Sequence, residues 1–406
     1  MNDAFESASG HAIQEEKKRQ DGLEQEKHLQ DAIQQEKHQH RVLPIGKLPN
    51  DLLAGLIRPE ITPRSELLTG PAVGEDCAVL DFGGGWLVAT TDPITGSDKE
   101  IGRLGIHVSL NDLASAGAEP IAILVTLLCP PGTLEQDIAD IMNAIRETAA
   151  SMNVALAGGH TEITDAVTRT IVNVTALGRT PVGGAITTSG ARPGDAMIMT
   201  KAAGIEGTSL IAHEKEKELI ARFGEDVVTA AKCFLDDISV VPEGKLAAAN
   251  GVHAMHDITE GGVLGAVWEM CTASGVGVVL EKERIPIRKE TEMICAYYGV
   301  NPLRLISSGS MLMACEDGAG MVKKLTEAGI PAAVIGFANG EEMLGRDENA
   351  GQIIKINVSI GSVQEKSTIA GKNLKMLLRS ESGIEAIEVP GADEVFKVLC
   401  SSERKQ

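Results

Sequence analysis

The chain has 406 residues, a formal charge of −20 and 44 glycines, with 43% hydrophobic but only 2% aromatic residues. Its length supports two ordinary domains with substantial cores, and the glycine content suits an α/β protein with many tight turns. The acidic balance argues against nucleic-acid and anionic-membrane binding, which need basic patches, and so few aromatic rings leave no platform for stacked bases.

Residues 1–43 read as a charged extension, helical or disordered, that does not belong to the fold. The segment EQEKHLQDAIQQEKHQH repeats Q-E-K-H, and Ile13, Leu23, Leu29 and Ile33 make only a thin apolar stripe. Four histidines lie there (His11, His28, His38 and His40), but histidines on a mobile segment are not a preformed metal site. A first domain is expected over 44–182. Strand chemistry marks CAVL (77–80), WLVATT (86–91), AILVTLL (122–128), VALA (154–157) and TIVNVTAL (170–177). Pro93 is expected to end the second of these, because proline cannot donate to the ladder. Helices are expected over about 102–117, apolar on most sides, and over 133–152. The latter has Thr133 as N-cap with Gln136 three residues on, then Ile138, Ile141, Met142, Ile145 and Ala149 at helical spacing. A second domain is expected over 185–340, opening with a strand at DAMIMT. Residues 341–406 read as a loop, a strand at IIKINVSI, a short helix and a tail.

Acidic groups stand where three elements of the first domain end: Asp76 in a Gly-rich turn, Asp92 closing a strand, and Asp112 inside the helix beside Asn111. Burying a carboxylate costs several kcal/mol unless it is paired or coordinates a cation. Mg²⁺ needs only one or two carboxylates, completed by waters and phosphate oxygens. The three positions therefore suit a Mg²⁺–nucleotide site, the alternative being ordinary turn and cap aspartates. Gly158-Gly159-His160-Thr161-Glu162 follows VALA, and its glycines would let a ligand approach the backbone closely. The plain alternative is a strand-ending turn, with His160 a packing histidine. KAAGIEGTS (201–209), with Gly204 and Gly207, is a strand-to-helix turn able to meet phosphate, although no P-loop and no G-x-G-x-x-G occurs in the chain. In HDITEGGVLGAVWEM (256–270), Asp257 and Glu260 have capping-box spacing, and Gly261 and Gly262 open a helix whose N–H groups form a ready anion site. A well-capped amphipathic helix explains that stretch equally well. His253 and His256, three apart on a strand, face opposite sides and are not a metal pair.

Seven cysteines, at 77, 129, 233, 271, 295, 315 and 400, are odd in number and lack C-x-x-C spacing. They indicate neither a disulfide framework nor a zinc site, and a reducing cytoplasm fits best. No apolar run reaches bilayer-spanning length, and the N-terminus has no apolar signal region. Cys400 follows Phe396, Val398 and Leu399 and precedes six polar residues. It is expected to be a small side chain packed at a helix end, not a carrier thiol.

The order G-E-D-C-A-V-L (74–80), T-T-D-P (90–93), H-V-S-L-N-D-L-A-S-A-G-A-E-P (107–120) and G-G-H-T-E (158–162) resembles the AIR synthase-like (PurM) ATP-binding superfamily. Within it, GKLPNDLL (46–53) and TSGARPGDAMIMTKAAGIEGTSLIA (188–212) are most similar to the hydrogenase maturation factor HypE group. The resemblance implies an α/β (α+β) fold of two domains, the N-terminal one forming a shared β-barrel-like core in a homodimer with ATP at the subunit boundary. It implies that Asp76, Asp92 and Asp112 hold Mg²⁺ and phosphates beside Asn111, and that Gly158, Gly159 and Thr161 line the phosphate path. Asp112, His160 and Glu162 would be the catalytic side chains, and Gly204, Gly207, Asp257, Gly261 and Gly262 would complete the nucleotide site. Members of the superfamily transfer a phosphoryl group to an oxygen, and the HypE group dehydrates a thiocarboxamide to a thiocyanate, working with other maturation proteins. Three readings follow: a HypE-like enzyme that activates an amide or carbonyl oxygen on a small or protein-borne acceptor; a small-molecule kinase or cyclo-ligase similar to thiamine-monophosphate kinase or AIR synthase; and a nucleotide-binding scaffold without turnover.

Overall fold

A computed structural model describes residues 65–69, 75, 77–95, 100–340, 354–360, 363–369 and 376–399. The expectations for residues 1–43, for Asp76 and for Cys400 lie outside the described residues. In the first domain, β1 (Leu67–Thr69), β2 (Ala78–Asp81), β3 (Trp86–Ile94), β4 (Glu119–Cys129), β5 (Ala155–Ile163) and β6 (Ile171–Thr180) form one sheet in the order β1-β2-β3-β6-β4-β5. Helix α1 (Ile101–Ser115) follows β3, and α2 (Glu135–Ser151) carries the chain from β4 to its parallel neighbour β5. Such a parallel pair requires a long crossover, which α2 supplies. The alternation in the strands sorts the sheet into two faces. Val88, Val172, Val174, Ala176, Ile123, Val125 and Leu127 are buried against Ile106, Leu110 and Leu113 of α1 and Ile141 and Ile145 of α2. On the opposite face Thr91 and Leu124 are exposed and Leu177 is half-buried, with no element of the described residues packed over them. The sheet is open, and no closed barrel forms within the described residues of one chain.

Three boundaries differ from the sequence expectation. β3 runs through Asp92 and Pro93 to Ile94. β2 pairs with it only as far as Ala89, so among the described residues no strand pairs with that edge of β3 beyond it, where a residue lacking an N–H is tolerated. β5 does not turn at its glycines but continues to Ile163, with a register shift where Ile123–Leu124 of β4 faces it. Gly159 has φ of +151°, and a Cβ there would lie 1.9 Å from the carbonyl oxygen of Val125. The glycine therefore answers to the neighbouring strand at a bulge. Helix α2 starts at Glu135: the Thr133 hydroxyl donates to the Pro130 carbonyl at 2.7 Å, and it is the Asp137 carboxylate that accepts the Leu134 N–H at 3.1 Å.

The second domain contains β7 (Ala196–Thr200), α3 (Ile205–Glu214), α4 (Glu216–Phe223), α5 (Glu225–Lys232), α6 (Val241–Ala248), β8 (Ala254–Ile258), α7 (Gly262–Ser274), β9 (Gly277–Glu281), α8 (Lys289–Tyr298), β10 (Ser310–Cys315), α9 (Gly318–Glu327) and β11 (Ala332–Asn339). β12 (Ile354–Ile360) pairs with β13 (Val363–Ile369) in a separate antiparallel ribbon. β14 (Met376–Ser380) and β15 (Gly383–Ala386) precede the short helix α10 (Glu394–Leu399). The main sheet has the order β15-β14-β9-β11-β7-β10-β8, so the chain beyond residue 340 contributes two strands to it. Both faces are covered. Met197, Met199, Leu312 and Leu280 pack under Val263, Val267 and Met270 of α7, while Ile198, Met255, Met311 and Met313 pack against Ala247 of α6 and Met321 and Leu325 of α9.

Helix α1 is shared between the domains. One side lies on the first sheet, and Ala114 enters the second domain's core. A Cβ on Gly244 of α6 would come within 2.2 Å of the Ala114 carbonyl oxygen, so the two helices meet backbone to backbone. The joint is polar as well. Asn111 Nδ2 donates to the Ile238 carbonyl at 2.8 Å, and its Oδ1 accepts the Val240 N–H at 2.8 Å. Arg103 reaches the Leu235 carbonyl at 3.1 Å and Asp236 at 2.9 Å. Lys201 spends its ammonium on the carbonyls of Asp237, Ser239 and Gly309 and on the buried Glu243 carboxylate, all between 2.7 and 2.9 Å. Burial, with Arg103 and Lys201 nearby, lowers the His107 imidazole to about 4, so at neutral pH it adds no third positive charge to the joint. Among the described residues no helix is long and apolar enough to cross a membrane.

Candidate active site

Two of the expected carboxylates are brought together, and a hydroxyl joins them. Thr90 and Asp92, two apart on β3, point to the same face of the sheet, where α1 crosses. The Thr90 hydroxyl donates to Asp112 Oδ2 at 2.6 Å and stands 3.4 Å from Asp92 Oδ2. Thr90 and Asp112 are 8% and 7% exposed, while Asp92 is half-buried at the strand's outer end. The Cys77 thiol, on the chain leading into β2, donates to the Asp112 carbonyl at 3.3 Å. The result is a set of hard oxygen donors, buried on one side and open on the other. A set of that kind matches what Mg²⁺ takes from protein before waters and phosphates fill its shell. Among the described residues it holds two carboxylates, since no group of three acidic, His or Cys side chains is spaced for a metal. Sequence reasoning missed Thr90, although the two-residue period of a strand places it beside Asp92.

Asn111 has a different task from its neighbour. Each end of its amide is engaged by the backbone of residues 238–240, so it fastens α1 to the second domain. Gly158, Gly159, His160, Thr161 and Glu162 form a second locus, on the edge strand β5. The row Asp92–Val174–Val125–Gly159 crosses the sheet, so about three strand spacings, roughly 14 Å, separate the loci. His160 and Glu162 pair with Thr126 and Leu128 of β4 and share the uncovered face, opposite to that of Asp92. His160 Nε2 lies 3.5 Å from Glu162 Oε2, and the two side chains are 67% and 53% exposed. Gly158 faces open space, with only Leu124 Cδ2 in ordinary contact range of an added Cβ.

The glycines of the second domain serve its packing. The Gly204 N–H donates to Ser307 Oγ at 2.9 Å, and the Gly207 N–H to the Ile306 carbonyl at 2.9 Å. Asp257 is fully buried within β8, opposite Met311 of β10, and does not cap α7. Gly261 is the N-cap instead, and its N–H donates to Asp393 Oδ2 at 2.8 Å. Gly262 has φ of +61°, and a Cβ there would strike the backbone of Leu303 and Leu305 at 2.7–2.9 Å. At the start of α7, where the sequence reading expects an anion, a carboxylate of the chain itself accepts the N-cap N–H. No local signal could show this, because Asp393 lies 132 residues further along.

The family profile for the AIR synthase related protein N-terminal domain matches residues 74–180, and the profile for its C-terminal domain matches residues 192–346. The chain is 32% identical over 276 residues to a protein of Methanocaldococcus jannaschii named as a hydrogenase expression/formation protein, covering 66% of this chain and 80% of that one. It is 26% identical over 282 residues to the carbamoyl dehydratase HypE of Rhizobium leguminosarum bv. viciae, covering 66% of this chain and 78% of that one. Among solved structures, the hydrogenase maturation protein HypE in complex with ATP is similar with a TM-score of 0.60 at 18% identity, covering 85% of this chain and 91% of that one.

Proposed function

Because the chain belongs to the AIR synthase related protein family and has its two-domain α/β fold, we propose that it uses ATP to activate an amide or carbonyl oxygen for loss of water, in the manner of a carbamoyl dehydratase. The observation that carries this reading is the convergence of Asp92 and Asp112 on one buried hydroxyl, Thr90. A scaffold without turnover has no need to hold two carboxylates close together in a half-desolvated place, where their repulsion costs stability. Asp92 and Asp112, with Asp76 from the same stretch of sequence, would hold Mg²⁺. When bound, the cation supplies charge neutralisation to a phosphoryl group in transfer, which together with positioning accounts for most of the catalysis of such reactions. Thr90 keeps the Asp112 carboxylate turned toward Asp92, and its hydroxyl removes part of the charge repulsion between them.

The edge strand would complete the site in a homodimer. The uncovered face of the sheet presents Ala89, Leu177 and Ala122 in one row and Leu124 beside Thr175 and Thr91 in another, with Thr91 hydrogen-bonded to Thr175 and Asn173. A second copy of the chain would cover that face and bring His160 and Glu162, the candidates for proton movement, out of bulk water. A reducing compartment is consistent with the six described cysteines, none of which forms a disulfide among the described residues. Calorimetry with a non-hydrolysable ATP analogue tests the reading. Binding should require Mg²⁺ and vanish with EDTA, and Asp112→Ala should weaken it by at least the ~1.5–3 kcal/mol of a charged hydrogen bond. Equal affinity in wild type and Asp112→Ala would remove the assignment. Product mass then decides the acceptor: release of ADP and phosphate with loss of water marks dehydration, and a stable phosphorylated product marks a kinase.

A further inference from the structure

Where the chain returns from β15, residues 387–399 cross the starts of α3 and α7 and end in α10. Ile387, Val395 and Val398 are buried, and the last two enter a core with Ile211, Leu219, Val228, Ile294 and Leu305. The polar anchor is Asp393, 2% exposed. Its Oδ2 accepts the Gly261 N–H at 2.8 Å, its Oδ1 accepts the Val395 N–H at 2.9 Å, and it also accepts a backbone N–H from Ile306. Beside it, in the first turn of α3, lies Glu206, 4% exposed. Glu206 accepts from the hydroxyl and backbone N–H of Ser308, but its Oε2 is buried with no hydrogen-bond partner. A buried carboxylate oxygen left without a donor, next to a second buried carboxylate, costs stability when both are ionised.

We propose that the C-terminal segment 387–399 is a pH-sensitive latch, fastened by Asp393 at the start of α7 and loosened when Glu206 beside it loses its proton. The groups facing these two carboxyls come from every neighbouring element. Glu260 precedes α7, Ser308 lies on the loop before β10, and Glu394, on α10 itself, pairs with Lys397 at 2.7 Å and faces the Cys295 thiol of α8. Burial, with Asp393 and Glu260 nearby, raises the Glu206 carboxyl to about 7, and burial raises Asp393 to about 6. A carboxyl that holds its proton more tightly in the docked form favours docking at low pH, and that advantage is lost as the pH rises through the docked value. The latch is therefore tight near pH 5–6 and loosens toward pH 8. On loosening, the N–H groups of Gly261 and Ile306 become free for another anion.

Hydrogen exchange on the full-length protein, corrected for the intrinsic rate at each pH, reads the latch directly. Between pH 6 and 8 the amides of residues 394–399 should lose protection by ~10-fold or more, while those of β10 should not move. Glu206→Gln should keep the segment docked and abolish that change, and Asp393→Asn should leave the segment weakly protected at both values. Constant protection in the wild type overturns the proposal. So does a pH response that survives in Glu206→Gln, or one that β10 shares, which would mark loosening of the whole domain.

Discussion

Every residue of β7, β8 and β10 in the second sheet is buried, whereas all of β5 in the first sheet is exposed except Leu156, which is half-buried. Their sequences differ accordingly. AMIMT and SMLMAC are nearly continuous apolar runs, as strands covered on both faces must be, while ALAGGHTEI has glycines and polar groups at an open edge. Among the described residues the second domain's sheet is thus covered on both faces, and the first has a face and an edge that no described element covers. The chemistry-bearing residues divide between the two faces of the first sheet: Asp92 and Asp112 lie on the covered face under α1, His160 and Glu162 on the uncovered face at the edge strand.

This contrast can be broken at several points. The largest effect is expected at Leu312 of β10, fully buried between the helical layers. Leu312→Ala should cost ~2–5 kcal/mol in urea unfolding, and Leu177→Ala on the uncovered face less than ~1 kcal/mol in the dilute protein. Equal costs would mean that the first sheet is covered within one chain after all. Next is Thr90→Val, which preserves shape and removes the hydroxyl between the two carboxylates. It should cost ~1–3 kcal/mol, by leaving Asp112 Oδ2 without that donor, and should weaken Mg²⁺-dependent nucleotide binding, with Thr90→Ser restoring both. A Thr90→Val protein that binds as tightly as wild type would reduce the hydroxyl to packing. Smaller in stability but sharper in consequence is Leu177→Arg. Light scattering should show a dimer becoming a monomer, with chain stability at high dilution changed by no more than ~0.5 kcal/mol. A persistent dimer would place the partner elsewhere on the molecule.

Much of this division was legible in the sequence. Alternation in TIVNVTAL and the largely apolar character of α1 announce one half-covered sheet and one helix buried nearly all round, and the structure buries twelve of the fifteen residues of α1. The aspartates at 92 and 112 stand out because carboxylates are costly in such surroundings. What stayed hidden is non-local. The partners of Asn111 lie 127 and 129 residues away, and nothing near Asn111 distinguishes a clamp from a ligand. The glycines at 158 and 159 read as a turn because glycine permits one, and only the register against β4 shows a continuing strand. The start of α7 reads as an open anion site because its occupant arrives from the far end of the chain.

Asn111 and Asp112 are consecutive, yet one is fastened to the second domain and the other faces the first sheet. Cutting the chain between the domains would leave the Asn111 amide without both its partners and would expose the bare patch of α6 at Gly244, shaped for the Ala114 carbonyl. Neither half is an interchangeable part. A chimera that borrows one domain from a relative inherits a mismatch at this seam unless it also carries over α1 together with residues 235–244, so the unit of exchange in protein engineering is the pair.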